Sequence, residues 1–176
     1  MIPKNIYYVW VGGNKKPDIF YKCLDSWQEN LPGYTITEIN ETNFDIKYQL
    51  KNNKFFRECY KRKIWAFVSD YIRIIHLYEN GGIYLDIDME ITKDISKLFD
   101  DKTTFFAGLE RPSVISAGII GAEKNSPILR KVLQFYKKDI WKKKIYTIPT
   151  ILTYTVNNSL TTEHKINNSY FDDNIK

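Results

Sequence analysis

The order of apolar and polar positions predicts alternating strands and helices along most of this chain. Short runs rich in β-branched and aromatic residues predict strands at 6–11, 34–39, 83–88, 103–109 and 114–121. Apolar residues at helical spacing predict helices at 17–30, 63–79 and 126–143, and a short helix or turn at 149–156. Segment 40–60 is polar, and its structure is ambiguous from the pattern. The alternation predicts one α/β domain over residues 1–156, followed by an Asn-rich polar tail at 157–176.

The strand predicted after Gly81-Gly82 carries different chemistry on its two faces. Successive side chains of a strand point to opposite sides, so one face holds Ile83, Leu85, Ile87 and Met89. The other face holds Tyr84, Asp86, Asp88 and Glu90, with no basic residue among the carboxylates. Carboxylates this close resist ionising together unless a cation lies between them. Their oxygens suit Mg²⁺, Mn²⁺ or Ca²⁺ rather than zinc. An Asp-x-Asp triplet alone is a weak signal, and its place at the end of an apolar strand strengthens it.

The helix predicted at 63–79 is apolar on almost every side, and it carries Asp70 and Arg73 on one face. A charge on a buried helix needs a partner. Two interpretations stay open from the spacing. The residues form an internal ion pair that holds the helix, or they bind the hydroxyls of a sugar or a phosphate.

Two distant segments are expected to meet in one cleft. Ligands of α/β sheets bind beyond the carboxyl ends of the strands. Trp10, with the Gly12-Gly13 turn after it, and the acids that end the 83–88 strand would both lie at that edge. From the residues alone, core packing is the simpler role for Trp10.

Charge and composition narrow the classes of function. The 176-residue chain has a net charge of +5 and a pI near 9.0, and its lysines concentrate at 137–144. This balance permits an anionic partner such as a nucleotide or a membrane surface, while a solvated helix face is the simpler explanation. The sequence lacks the motifs of nucleic-acid-binding domains, so no nucleic-acid partner is expected.

Other residue types exclude further classes. Cys23 and Cys59 lie far apart without metal-type spacing, which favours two reduced thiols. With only two histidines in the chain, a zinc enzyme or a histidine-based triad is poorly supported. The sequence has no run of 18 apolar residues and no apolar signal-peptide core, which predicts a cytoplasmic protein.

Four segments together resemble the DXD-type glycosyltransferases. They are residues 2–13 (IPKNIYYVWVGG), 69–73 (SDYIR), 78–88 (YENGGIYLDID) and 118–122 (GIIGA) with the Ser126-Pro127 pair. Members of this family include bacterial capsule and polysaccharide sugar transferases, the yeast initiating mannosyltransferases and the glucosyltransferase domains of large clostridial toxins. The resemblance covers roughly residues 1–130, with the usual order and spacing.

The resemblance implies a GT-A-like fold, in which helices flank a central, mostly parallel mixed sheet. It also implies a hexosyltransferase that uses a UDP- or GDP-sugar donor and Mn²⁺ or Mg²⁺. The acceptor would be a glycan or a lipid-linked glycan, and the anomeric configuration would be retained. A lipid-linked acceptor would suit a peripheral contact with the inner face of the cell membrane through the basic helix at 127–144.

The resemblance also assigns roles to individual residues. Donor binding falls to Trp10, which would stack on the base, and to Asp70, Arg73, Tyr84 and Asp86. Catalytic contacts with the transferred sugar fall to Asp70, Arg73 and Asp86. The metal would be held by Asp88 and Asp86.

The sequence departs from the family at two places. Relatives often carry an asparagine before the GIIGA-like strand, where this chain has Ile115-Ser116-Ala117. Relatives usually continue beyond the point where this sequence stops, with a segment that supplies a further metal contact or a lid. A rival hypothesis is therefore a module that binds a nucleotide sugar or a glycan without transferring it. A metal-dependent phosphohydrolase that uses the same acids is a third and weaker hypothesis.

Overall fold

Five strands form one mixed sheet in the computed structural model of the protein, which describes residues 1–159. The strands are β1 (Asn5–Val9), β2 (Thr35–Ile39), β3 (Gly82–Leu85), β4 (Phe105–Arg111) and β5 (Val114–Ala122), in the spatial order β2-β1-β3-β5-β4. β1 pairs in parallel with β2 and β3, and β5 pairs antiparallel with β3 and β4. Only β5 therefore runs against the other strands described, so the predicted mostly parallel mixed sheet is confirmed.

Seven helices surround the sheet within residues 1–159. They are α1 (Asp18–Asn30), α2 (Ile46–Asn52), α3 (Lys54–Lys61), α4 (Trp65–Asn80), α5 (Pro127–Lys138), α6 (Ile140–Lys143) and α7 (Ile148–Asn157), with one 3-10 turn at Ile95–Leu98. The polar segment 40–60 forms α2 and α3 because each helix has a side-chain cap. Asp45 accepts a hydrogen bond from the Tyr48 N–H (2.9 Å), and Asn53 accepts one from the Phe56 N–H (2.8 Å).

The sheet lies between two apolar cores because its strands alternate. β1 sends Tyr7 and Val9 to a core shared with α3, α4, α5 and α7. Ile6 and Tyr8 point to the opposite core, where α1 packs. β3 divides in the same way, with Tyr84 on the α4 side and Ile83 and Leu85 on the α1 side. These are the two faces that the sequence predicted for the start of this strand.

The Gly81-Gly82 pair joins α4 to β3 in a space that admits no side chain. Both glycines have positive φ angles, 70° and 115°. A Cβ at Gly81 would lie 2.7 Å from the backbone nitrogen of Lys124, and one at Gly82 would lie 2.7 Å from the carbonyl oxygen of Asn5. The predicted end of the helix is therefore confirmed.

Two predicted elements need correction, and a third is confirmed. The predicted strand 83–88 ends at Leu85, and the chain turns so that the Met89 N–H donates to the Asp86 carbonyl (3.0 Å). The predicted helix 126–143 divides into α5 and α6 at Asp139. The short helix or turn predicted at 149–156 is confirmed as the helix α7.

Residues 160–176 of the predicted polar tail lie outside the described residues. Each helix in residues 1–159 is too short or too polar to cross a lipid bilayer.

Candidate nucleotide-sugar site

The carboxyl ends of β1 and β3 meet at one edge of the sheet, next to a cavity of about 210 Å³. β1 and β3 are parallel neighbours, so the residues that follow them lie side by side. The cavity is lined by Trp10 and Asn14 after β1, by Trp65 and Ser69 of α4, and by Tyr84 and Asp86 of β3 and its end. The predicted meeting of Trp10 with the acidic end of β3 is therefore confirmed for Asp86.

Arg73 is the centre of the charged network beside this cavity. Its side chain is only 7% exposed. One terminal nitrogen lies 3.0 Å from Asp70 Oδ1. The other lies 3.1 Å from Asp86 Oδ1 and donates to the Ala117 carbonyl (2.9 Å). The guanidinium stands 4.3 Å from the centre of the Tyr84 ring, a cation–π distance. Of the two interpretations of Asp70 and Arg73, the structure shows the internal ion pair, and it extends that pair to Asp86.

Tyr84 fixes the orientation of Asp86. Its hydroxyl donates to Asp86 Oδ1 (2.7 Å), the oxygen that also faces Arg73. Burial raises the pKa of the Tyr84 phenol far above its ordinary value, so the hydroxyl keeps its proton and stays a donor. Asp86 Oδ2 makes neither of these contacts and lies near Gly118, where a Cβ would stand 3.4 Å away.

The prediction that Asp86, Asp88 and Glu90 stack on one face without a basic residue is wrong. The strand ends before Asp86, so its alternation no longer governs the side chains that follow. Asp86 contacts Arg73, and Glu90 pairs with Lys22 of α1 at 2.9 Å. Asp88 lies exposed in the turn.

The acids that remain fit a cation that shares its coordination with a substrate. Residues 1–159 contain no group of three histidine, cysteine or acidic side chains able to hold a metal by themselves. Mg²⁺ usually takes one or two carboxylates, several waters and the phosphates of its substrate. Asp86 Oδ2 and the exposed Asp88 carboxylate match that donor set. The Arg73 cluster carries one net negative charge, because two carboxylates surround one guanidinium, and Asp88 adds a second.

A separate network holds Trp10. Its indole N–H donates to the Asn14 carbonyl (2.7 Å). The Lys16 ammonium stands 5.9 Å from the centre of the Trp10 ring and pairs with Glu38 at 2.6 Å. Glu38 also accepts a hydrogen bond from the Tyr8 hydroxyl (2.9 Å). The ring is thus held at the cavity by the loop between β1 and α1, and Glu38 of β2 in turn holds Lys16 of that loop.

Sequence reasoning missed Trp65, Lys16 and Glu38. Trp65 lines the same cavity as Trp10, and a Cβ at Gly12 would lie 2.5 Å from its ring. Trp65 precedes Ser69 by four residues, one helical turn. This spacing predicts that both side chains lie on the same face of α4, the face that lines the cavity. The partnership of Lys16 and Glu38 depends on the pairing of β1 with β2, which no local pattern specifies.

Asp70 should make the protein less stable as the pH rises. Burial raises its pKa to about 6, against the opposing effect of Arg73. Below the ordinary value of 3.8 the carboxyl is protonated in both the folded and the unfolded state. Between these values the folded state keeps a proton that the unfolded state loses, so this contribution to stability fades as the pH rises through about 6. At about 1.4 kcal/mol per pKa unit, the full change is about 3 kcal/mol.

We expect Asp70→Asn to remove that loss, because the amide does not ionise. Urea unfolding at pH 4 and pH 7 measures it. From pH 4 to pH 7 the unfolding free energy of the variant should rise by about 2.4 kcal/mol relative to that of the wild type, most of the full change. Asp101→Asn, an exposed change at the opposite edge of the sheet, is the control and should show no such movement. Parallel pH profiles of Asp70→Asn and the wild type would contradict the assignment.

Known proteins resemble this chain in sequence and in fold. The family model described as the glycosyltransferase sugar-binding region containing the DXD motif matches residues 17–105. A glycosyltransferase of Acanthamoeba polyphaga mimivirus is 32% identical over 136 residues, which are 73% of this chain and 53% of that protein. The chain therefore spans about half the length of this curated relative.

Solved structures share the fold. The PaToxG glycosyltransferase matches 90% of this chain and 69% of its own, with a TM-score of 0.72 and 20% identity. The UDP-bound glycosyltransferase domain of the YGT toxin matches 93% of this chain and 69% of its own, with a TM-score of 0.55 and 11% identity. Since the family model covers half of the chain, and its match includes the Arg73 cluster and the Asp-x-Asp turn, the chain belongs to the glycosyltransferases whose sugar-binding region contains the DXD motif.

Proposed function

We propose that the cavity beside Trp10 binds a nucleotide-sugar donor and that the protein transfers the sugar, a hexose, with a divalent cation. One observation carries the proposal. Arg73 joins the largely buried Asp70 to the partly buried Asp86, and Asp86 lines the same cavity as Trp10 and Trp65. Stacking surfaces for a base and carboxylates for sugar hydroxyls thus lie within one site.

Each residue of the site has a task in this transfer. Trp10 orients the base, and Trp65 lines the same cavity. Asp70 and Asp86 accept hydrogen bonds from sugar hydroxyls, and their charge favours the positive charge that develops on the sugar as the bond to the diphosphate breaks. Tyr84 and Arg73 hold Asp86 in place through its Oδ1. Asp88 and Asp86 Oδ2 would hold Mn²⁺ or Mg²⁺, which when bound stabilises the charge on the leaving diphosphate as a Lewis acid.

The donor is a UDP- or GDP-sugar and the acceptor a glycan or a lipid-linked glycan. Transfer proceeds with retention of the anomeric configuration, as the family resemblance implies. The diphosphate oxygens then take the acceptor proton, so the site needs no separate base.

Thermal shift with a panel of nucleotide sugars, each with and without Mn²⁺, tests the proposal. A ligand that binds only the folded state stabilises it by about 2.7 kcal/mol when present at about 100 times its dissociation constant. We expect one class of donor to raise the melting temperature in Mn²⁺, and Trp10→Ala to abolish that rise. If no UDP- or GDP-sugar raises the melting temperature of the wild type, the cavity is not a donor site.

A binding module without transfer activity is the second candidate. It is favoured by one observation: Asp70 and Arg73 pair with each other and are not among the described residues that line the donor cavity. Donor hydrolysis separates the two candidates. A donor that shifts the melting temperature but is neither hydrolysed nor transferred identifies a binding module.

A further inference from the structure

A second and larger cavity of about 350 Å³ lies between α3, the start of α4 and α6. We call it the α3–α6 groove. Its walls are apolar and largely aromatic: Phe55, Cys59, Ile64, Phe67, Trp141 and Tyr146. Its rim carries Lys54, Glu58 and Arg62. Burial raises the pKa of the Cys59 thiol to about 11, so this side chain stays neutral within the apolar wall.

Two apolar side chains of the groove are exposed to solvent. Trp141 is 41% exposed and Ile64 is 39% exposed. The Trp141 ring is nonetheless held in place, with its centre 6.0 Å from the ring centres of both Phe55 and Tyr146. A fixed and exposed tryptophan at the mouth of an apolar groove is typical of a surface that contacts another apolar phase.

The charges around the groove have one predominant sign. Lys61, Arg62 and Lys63 end α3, and Lys142, Lys143 and Lys144 end α6, all six of them exposed. Lys54 lies over the Trp141 ring at 5.5 Å. Glu58 is the single acid among the residues that line the groove, and Arg62 stands 3.7 Å from it. The surface complementary to this pattern is anionic at its face and apolar just beneath.

The groove is next to the candidate donor site. Ile64 and Phe67 line the groove, whereas Trp65, Ala66 and Ser69 line the donor cavity. The first turn of α4 therefore forms a wall between the two. A molecule anchored at the groove would present a polar head within about one helical turn of the donor cavity.

We propose that the α3–α6 groove docks the protein onto an anionic lipid bilayer, with Trp141 and Ile64 at the acyl boundary and the lysines and arginine at the headgroups. Tryptophan favours that interface, and each basic residue near an anionic leaflet adds to binding. The docking surface is then the groove together with the basic residues 61–63 and 142–144. It does not extend along the whole basic helix at 127–144. It is independent of donor binding, so its failure leaves the proposed function untouched.

Sedimentation with vesicles of phosphatidylcholine, with and without phosphatidylglycerol, tests whether binding depends on the negative charge of the lipid. Wild type should bind the anionic vesicles only, and more weakly at high salt. Lys54→Gln/Arg62→Gln removes two charges from the rim, and Lys131→Gln/Lys137→Gln removes two exposed lysines from α5 as a matched control. The rim variant should bind about thirtyfold more weakly and the α5 variant less than about threefold. Equal losses in the two variants would overturn the groove as the docking surface.

Quenching of tryptophan fluorescence by brominated lipid in the same anionic vesicles tests whether Trp141 reaches the acyl boundary of the bilayer. Wild-type emission should be quenched, and Trp141→Phe should lose most of that quenching while it still sediments with vesicles. Unchanged quenching in Trp141→Phe, or binding to phosphatidylcholine alone as strong as to anionic vesicles, overturns the proposal. Circular dichroism of each variant, and its melting-temperature shift with the soluble donor, should match the wild type.

Discussion

Asp88→Asn is expected to lower donor turnover in Mn²⁺ by about two to three orders of magnitude, the usual effect of removing one preorganised electrostatic contact from a transition state. The amide keeps the shape of the side chain and loses its charge. Asp88 is exposed and lies in the turn after β3, so the change should alter the unfolding free energy by no more than about 0.5 kcal/mol. Initial rates of donor hydrolysis over a Mn²⁺ titration measure both the rate and the apparent metal affinity.

The control for this prediction is Asp101→Asn, an equally exposed acid placed before β4 at the opposite edge of the sheet. It should retain the wild-type rate and metal affinity. If Asp88→Asn hydrolyses the donor as fast as the wild type at every Mn²⁺ concentration, Asp88 does not hold the metal. A loss of rate that excess Mn²⁺ restores would instead locate the defect in metal affinity.

The sheet and its main helices were predictable because their signals are local. The apolar runs at β1 and β5, the helical spacing of α4 and the Gly81-Gly82 pair each specify structure within a few residues. α2 and α3 were not predicted because their segment is mostly polar, although the Asp45 and Asn53 caps are local signals of a helix start. The division of α5 from α6 likewise left no clear mark in the pattern.

The acidic site was predictable in its residues but not in its arrangement. Alternation holds for Ile83, Tyr84 and Leu85, where neighbouring strands pair with β3. Beyond Leu85 the chain turns, and each side chain follows tertiary contacts instead of the strand period. Arg73 reaches Asp86 and the Ala117 carbonyl only because α4 packs across β3 and β5. Such contacts between distant segments leave no periodic trace in the sequence.

Arg73→Met is expected to destabilise the protein by about 3–5 kcal/mol, the cost of breaking a buried ion pair by removal of one partner. Methionine fills much of the volume of the arginine side chain, so lost packing accounts for the smaller part of this destabilisation. The larger part is that the buried Asp70 and the partly buried Asp86 lose the cation that compensates them. Urea unfolding at pH 7 measures the effect. The deficit should shrink at pH 4, where the raised pKa of Asp70 allows its carboxyl to be neutral.

Two further variants make the origin of this cost testable. Arg62→Met removes an arginine whose side chain is 71% exposed and stands 3.7 Å from Glu58, and it should cost no more than about 1 kcal/mol. The triple change Arg73→Met/Asp70→Asn/Asp86→Asn neutralises the whole cluster and should recover most of the stability while donor turnover stays lost. If the triple variant is no more stable than Arg73→Met, unpaired charge is not the cause. The cluster would then hold α4 against β3 through its shape and hydrogen bonds instead of through its charge.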